Sequence, residues 1–123
     1  HTYKQAPYQD CSLQEYESAL KDINVFIEYE PKYEYAYDLR QSIKYNLKDF
    51  IGAIEDANIM LILNPKSGEA YAHRGLNKLQ LGQKDKACID LRKALGMLGG
   101  SDFGVVVYGL IEVKCEGKKL FGN

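Results

Sequence analysis

"YEPKYEYAYDLRQ" occupies residues 29–41 and "LNPKSGEAYAHRG" occupies residues 63–75. A shift of 34 residues lays Pro31 on Pro65, Lys32 on Lys66, Ala36 on Ala70, Tyr37 on Tyr71 and Arg40 on Arg74. Self-similarity at a fixed period is the signature of a repeat architecture, in which each unit buries its apolar face only by stacking on its neighbours. The register continues outward: Ala19, Ala53 and Ala87 superpose, as do Asp22, Asp56 and Asp90, and Tyr16, Phe50 and Lys84. The second half of the unit therefore occurs three times and the first half twice.

Within a unit the apolar spacing is helical. Ala36, Tyr37, Ile43 and Leu47 recur with Arg40 at three- and four-residue steps, and Asp38, Gln41, Ser42 and Lys44 lie between them. Phe50, Ala53, Ile54, Ala57, Met60 and Leu61 form one broad stripe in the second half. Each unit reads as two antiparallel helices. Glu30-Pro31 and Asn64-Pro65 end the preceding helices, because proline removes a donor and biases its predecessor away from helical angles. Gly82 is free to take a left-handed turn between two helices. Ser12-Leu13-Gln14-Glu15 has the form of a capping box. These signals predict helices near 13–29, 35–47, 50–63, 69–81 and 84–97.

The ends follow the pattern less closely. Residues 1–12 carry Pro7 and no helical stripe, and read as an extended segment. Gly99-Gly100 breaks the chain ahead of 99–116, after which 117–123 reads as a tail. If 103–114 is helical, Phe103, Val106, Val107, Leu110 and Val113 share a face. The run Val105-Val106-Val107 with Gly109 also fits a strand. The need to cap an open solenoid end favours a capping helix.

Composition bounds the function. The 123 residues are 46% hydrophobic and 27% charged, as in a folded globular domain. Sixteen basic and seventeen acidic residues leave a formal charge of -1, so nothing in the balance asks for nucleic acid or an anionic membrane. The longest apolar run, 103–111, is nine residues with two glycines, against the roughly 20 needed to span a bilayer. No membrane insertion is expected. Opening on His1 rather than Met is compatible with a processed secreted protein, an excised fragment or a tagged one, so localisation stays open. Cys11, Cys88 and Cys115 are odd in number and lack C-x-x-C spacing, so plain thiols are expected rather than a disulfide framework or a metal site. No phosphate-binding glycine loop, H-E-x-x-H motif or nucleophile–base set is present, so no catalytic residue, cofactor or metal is assigned.

The unit in "AYAHRGLNKLQLGQKDKACIDLRKALGML" resembles a bacterial variant of the tetratricopeptide repeat through Tyr71, Arg74-Gly75, Leu81-Gly82, Ala87 with Asp90, and Ala94. The resemblance covers residues 13–98, divided as 13–33, 34–67 and 68–98. It implies an all-α solenoid of antiparallel helix hairpins, about two and a half repeats with a C-terminal capping helix. It further implies a non-catalytic scaffold that binds a peptide or protein partner on the concave face lined by the first helix of each unit. Carried onto this chain, the groove positions are Tyr35, Asp38, Ser42, Tyr45, Asn46, Glu69, Ala72, His73 and Leu76. The lysines and asparagines with which chaperone-tail binders of the family clamp a C-terminal carboxylate are replaced here by Asp38, Ser42, Ala72 and Leu76. A basic or apolar segment suits that surface better than an acidic one. The alternative reading is an assembly element, in which the apolar face of helix 13–29 (Leu13, Tyr16, Leu20, Ile23 and Ile27) packs against a second copy as a homodimer or against an upstream repeat. Residues Tyr3 to Tyr8 folding back would cover the same face in cis.

Overall fold

A computed structural model describes the backbone of residues 5–119 and the side chains from residue 12 onward. Six helices follow one another: α1 (Gln5–Tyr29), α2 (Glu34–Asn46), α3 (Phe50–Leu63), α4 (Gly68–Gln80), α5 (Lys84–Leu98) and α6 (Asp102–Leu110). A π-helical turn, Ile111–Cys115, closes the last one. Two hairpins, α2–α3 and α4–α5, stack through α3 against α4, with α1 packed on α2 and α6 on α5.

Sequence chemistry explains the boundaries. Asp49, Ser67 and Ser101 each accept a hydrogen bond from the backbone N–H three residues on, satisfying one of the unpaired donors of the helix start. Asn64 is extended ahead of Pro65, as a residue before proline must be. The two hairpin turns are equivalent under the 34-residue shift. Gly82 takes φ 79° in one, and Lys48, in the same place, takes φ 65° in the other.

Expectations are corrected at the N-terminal end. Residues 5–12, read as extended, are helical, so α1 begins at Gln5 and not at 13. Pro7 falls in its first turn, where the missing N–H would have had no intrahelical partner. Ser12 consequently lies inside the helix and opens nothing. Residues 5–8 continue α1 and do not fold back on it; residues 1–4 and 120–123 lie outside the described ones. Helix, not strand, is found over 102–110.

The core comes in three clusters strung along the stack. Ile23 of α1 meets Ala36 and Ile43 of α2. Tyr37, Met60 and Ala70 join α2, α3 and α4. Ala72, Leu91, Ala94, Val107 and Ile111 join α4 and α5 to α6 and the π turn. Small residues set the spacing where helices press closest: a Cβ on Gly75 would stand 3.0 Å from the carbonyl oxygen of Ala87.

A repeated ionic staple holds the hairpins. Arg40 donates to Asp56 from Nε and Nη2, at 2.9 and 2.7 Å, and Lys44 reaches the same carboxylate at 3.2 Å. Arg74 and Lys78 hold Asp90 in the same way, at 2.9 and 2.8 Å. Each arginine also donates to an asparagine of the preceding unit, Arg40 to Asn24 and Arg74 to Asn58. Burial pushes the Asp90 carboxyl up, yet the hydrogen bonds from Arg74 and Lys78 and their charges outweigh it, so the group lies below its ordinary pKa. The hydrogen bond from Arg40 to Asp56 likewise raises the arginine against its own desolvation.

The cysteine expectation is overturned. Cys88 of α5 and Cys115 of the π turn form a disulfide with Cα atoms 5.9 Å apart. Neither belongs to a short motif; the capping of α5 brings together residues 27 apart in sequence. The side chain of Cys11 lies outside the described ones.

Candidate peptide-binding groove

Side chains of α2, α4 and α6 meet from helix to helix along one face of the stack. By the resemblance to the tetratricopeptide repeat, this row of first helices would line the inner face of the stack. His73 is central to it: Nε2 lies 3.4 Å from Asp38 on α2, and the ring packs on Phe103 of α6 with centroids 5.3 Å apart. Burial lowers the His73 pKa, and the carboxylates of Asp38 and Glu69 oppose that shift without reversing it.

Below it, buried Asn77 donates from Nδ2 to the His73 carbonyl at 2.8 Å and to Gln41 Oε1 at 3.5 Å. Its Oδ1 has no partner among the described residues. Gln41 stands where the next repeat has Gly75, and its amide donates to Asp38 while accepting from Asn77 of α4.

Between α2 and α4 the inner face opens into a cleft of about 250 Å³ lined by Glu34, Tyr35, Asp38, Met60 and Glu69. Three carboxylates surround one tyrosine that is 59% exposed. Tyr45 sits farther along, edge-on to Phe50 and 3.5 Å from Gln80, with Ser42 and Asn46 exposed beside it. Leu76 is half-buried on α4. Ala72, expected to face a partner, is 0% exposed beneath α6 and belongs to the core, because Val107 and Ile111 cover it.

Comparison with known structures decides what such a stack is. The translocator chaperone SycD of Yersinia enterocolitica superposes with a TM-score of 0.77 at 14% identity, over 89% of this chain and 78% of that one. The first TPR of Spaghetti (RPAP3), bound to the HSP90 peptide SRMEEVD, superposes at 0.68 with 19% identity, over 85% of this chain and 86% of that one. The fold is that of the tetratricopeptide repeat. By sequence, the TPR repeat-containing thioredoxin TDX of Arabidopsis thaliana is 32% identical over 79 residues, 64% of this chain; the chain spans 21% of that relative's length. No family model matches.

Two residues of α6 fall in register with groove candidates and were not among those the sequence suggested. The shift of 34 carries Tyr35 to Glu69 and on to Phe103, and Asp38 to Ala72 and on to Val106. Phe103 meets His73, and Val106 is exposed rather than part of the covering face. The assembly face expected on α1 is also redistributed: Leu20 and Ile27, with Tyr16, pack toward Ile23, Ala36 and Ile43, while Leu13 remains exposed.

Proposed function

We propose that the chain is a non-catalytic scaffold that binds a basic or apolar segment of a protein partner in the groove of α2, α4 and α6. The cleft between α2 and α4 carries this reading. Glu34, Asp38 and Glu69 set a negative field around an exposed tyrosine, and tyrosine offers rigid contact area at low entropic cost. The peptide SRMEEVD held by the Spaghetti domain is rich in carboxylates, and this cleft would repel it. The fold supports peptide binding, and the charge selects the opposite sign of peptide.

Fluorescence anisotropy with two labelled peptides tests this: SRMEEVD, and its charge-inverted counterpart with lysine at each acidic position and an amidated end. The inverted peptide is expected to bind at least about tenfold more tightly, to weaken as salt is raised, and to lose affinity in Tyr35→Ala. Equal affinity for both peptides, or indifference to Tyr35→Ala, would sink the reading.

A further inference from the structure

A second cleft, of about 610 Å³, lies between α1 and α2 on the end of the stack away from α6. Beyond Glu15 and Tyr16 at its edge, its walls are Ala19, Asp22, Ile23 and Phe26 of α1, with Leu39 and Ile43 of α2. Shifted by 34, these become Ala53, Asp56, Ala57 and Met60 of α3 with His73 and Asn77 of α4, the surface on which α2 lies. Shifted again, they become Ala87, Asp90, Leu91 and Ala94 of α5 with Val107 and Ile111, the surface on which α4 lies. Position for position, the cleft is the bed of a repeat's first helix. The burial contrast agrees: Met60 is 1% and Ala94 0% exposed, whereas Phe26 is 40% exposed.

Asp22 fixes the chemistry of the occupant. Its counterparts Asp56 and Asp90 are buried under an arginine and a lysine four residues apart on the overlying helix. Asp22 is exposed, and among the described residues no lysine or arginine reaches it. We propose that this cleft docks an amphipathic helix from a partner protein carrying the pattern A-Y-x-x-R-x-x-x-K, whose arginine and lysine close on Asp22. Both first helices of the chain show that pattern, Ala36-Tyr37 with Arg40 and Lys44, and Ala70-Tyr71 with Arg74 and Lys78. A second copy of the chain is a poor occupant, because those cations are already committed to Asp56 and Asp90. Leu39 and Ile43 replace His73 and Asn77 in the bed, so an apolar residue two places before the arginine fits, as Ala72 does in α4. The proposal stands independently of the groove on the opposite side of α2.

The probe is a labelled peptide of residues 67–82, hydrocarbon-stapled through positions 69 and 73 to hold it helical, titrated into the full chain. The expected result is saturable binding that Asp22→Asn weakens about tenfold or more, since a charge-assisted pair is lost. Arg74→Glu in the peptide should abolish binding to the native chain and restore it with Asp22→Arg. Asp22 is exposed, so these variants leave the core intact. No saturable binding, binding indifferent to Asp22→Asn, or binding lost instead in Tyr35→Ala would each overturn the proposal. So would sedimentation showing that the chain covers the cleft with a second copy, dissociated by Phe26→Asp.

Discussion

Asp90 shows how a single residue is held. At 2% exposed it has given up its water, and Arg74 and Lys78 replace that hydration with hydrogen bonds. Removing one partner of such a set leaves the others buried and uncompensated, so Asp90→Ala should destabilise the fold by about 3 kcal/mol, read as a shift of the urea midpoint at constant slope. Replacing the pair together, Arg74→Met with Asp90→Leu, should cost much less than the sum of the single changes. Strict additivity would show that the two do not act as a unit. The pH dependence has a fixed sign. A carboxyl whose folded pKa lies below its ordinary value near 3.8 contributes stability that is present above that value. The contribution is lost as pH falls through the lower folded pKa, and the Asp90→Ala variant should lack that part of the acid limb.

At the scale of elements, the two hairpin turns form an internal comparison. Gly82 and Lys48 both take positive φ, and a Cβ at Gly82 would touch nothing within 4 Å. The difference between them is therefore backbone strain, which a non-glycine residue bears in the left-handed region. Lys48→Gly is expected to raise stability by about 0.5–1 kcal/mol, and Gly82→Ala to lower it by about 1 kcal/mol, both measured by thermal unfolding. No change in either would mean the turns relax. The repeat period made these turns, and helices α2 to α5, readable to within a residue or so, since periodicity, prolines and caps all agreed there. The start of α1 is not legible because Pro7 reads as a breaker, whereas a place in the first turn makes proline harmless. Ala72 reads as a groove residue by register alone, which does not show that Val107 and Ile111 cover it. The pairing of Arg40 with Asp56 and Arg74 with Asp90 was within reach, as the same separation of 16 occurs in both units.

For the whole molecule, the Cys88–Cys115 bridge matters more than local spacing could suggest. Solenoids are stabilised mostly between neighbours, so an end is the first part to open. Here α6 is short, its glycines Gly104 and Gly109 weaken its intrinsic helicity, and Val105, Val106 and Tyr108 are exposed. What retains it is burial of Val107 and Ile111 against α5, together with the covalent tie just beyond them. That tie closes a segment of 27 residues containing most of α5 and all of α6, and loop-closure entropy then assigns it about 3.5 kcal/mol. Hydrogen exchange on oxidised and reduced protein should separate the two contributions. Reduction is expected to speed exchange in 102–115 by about a hundredfold while 34–63 changes far less. Because Phe103 packs on His73, loosening α6 should also weaken the peptide binding proposed for the groove. Equal protection of 102–115 in the two forms would mean that apolar packing alone holds the cap, and the groove would then be insensitive to reductant.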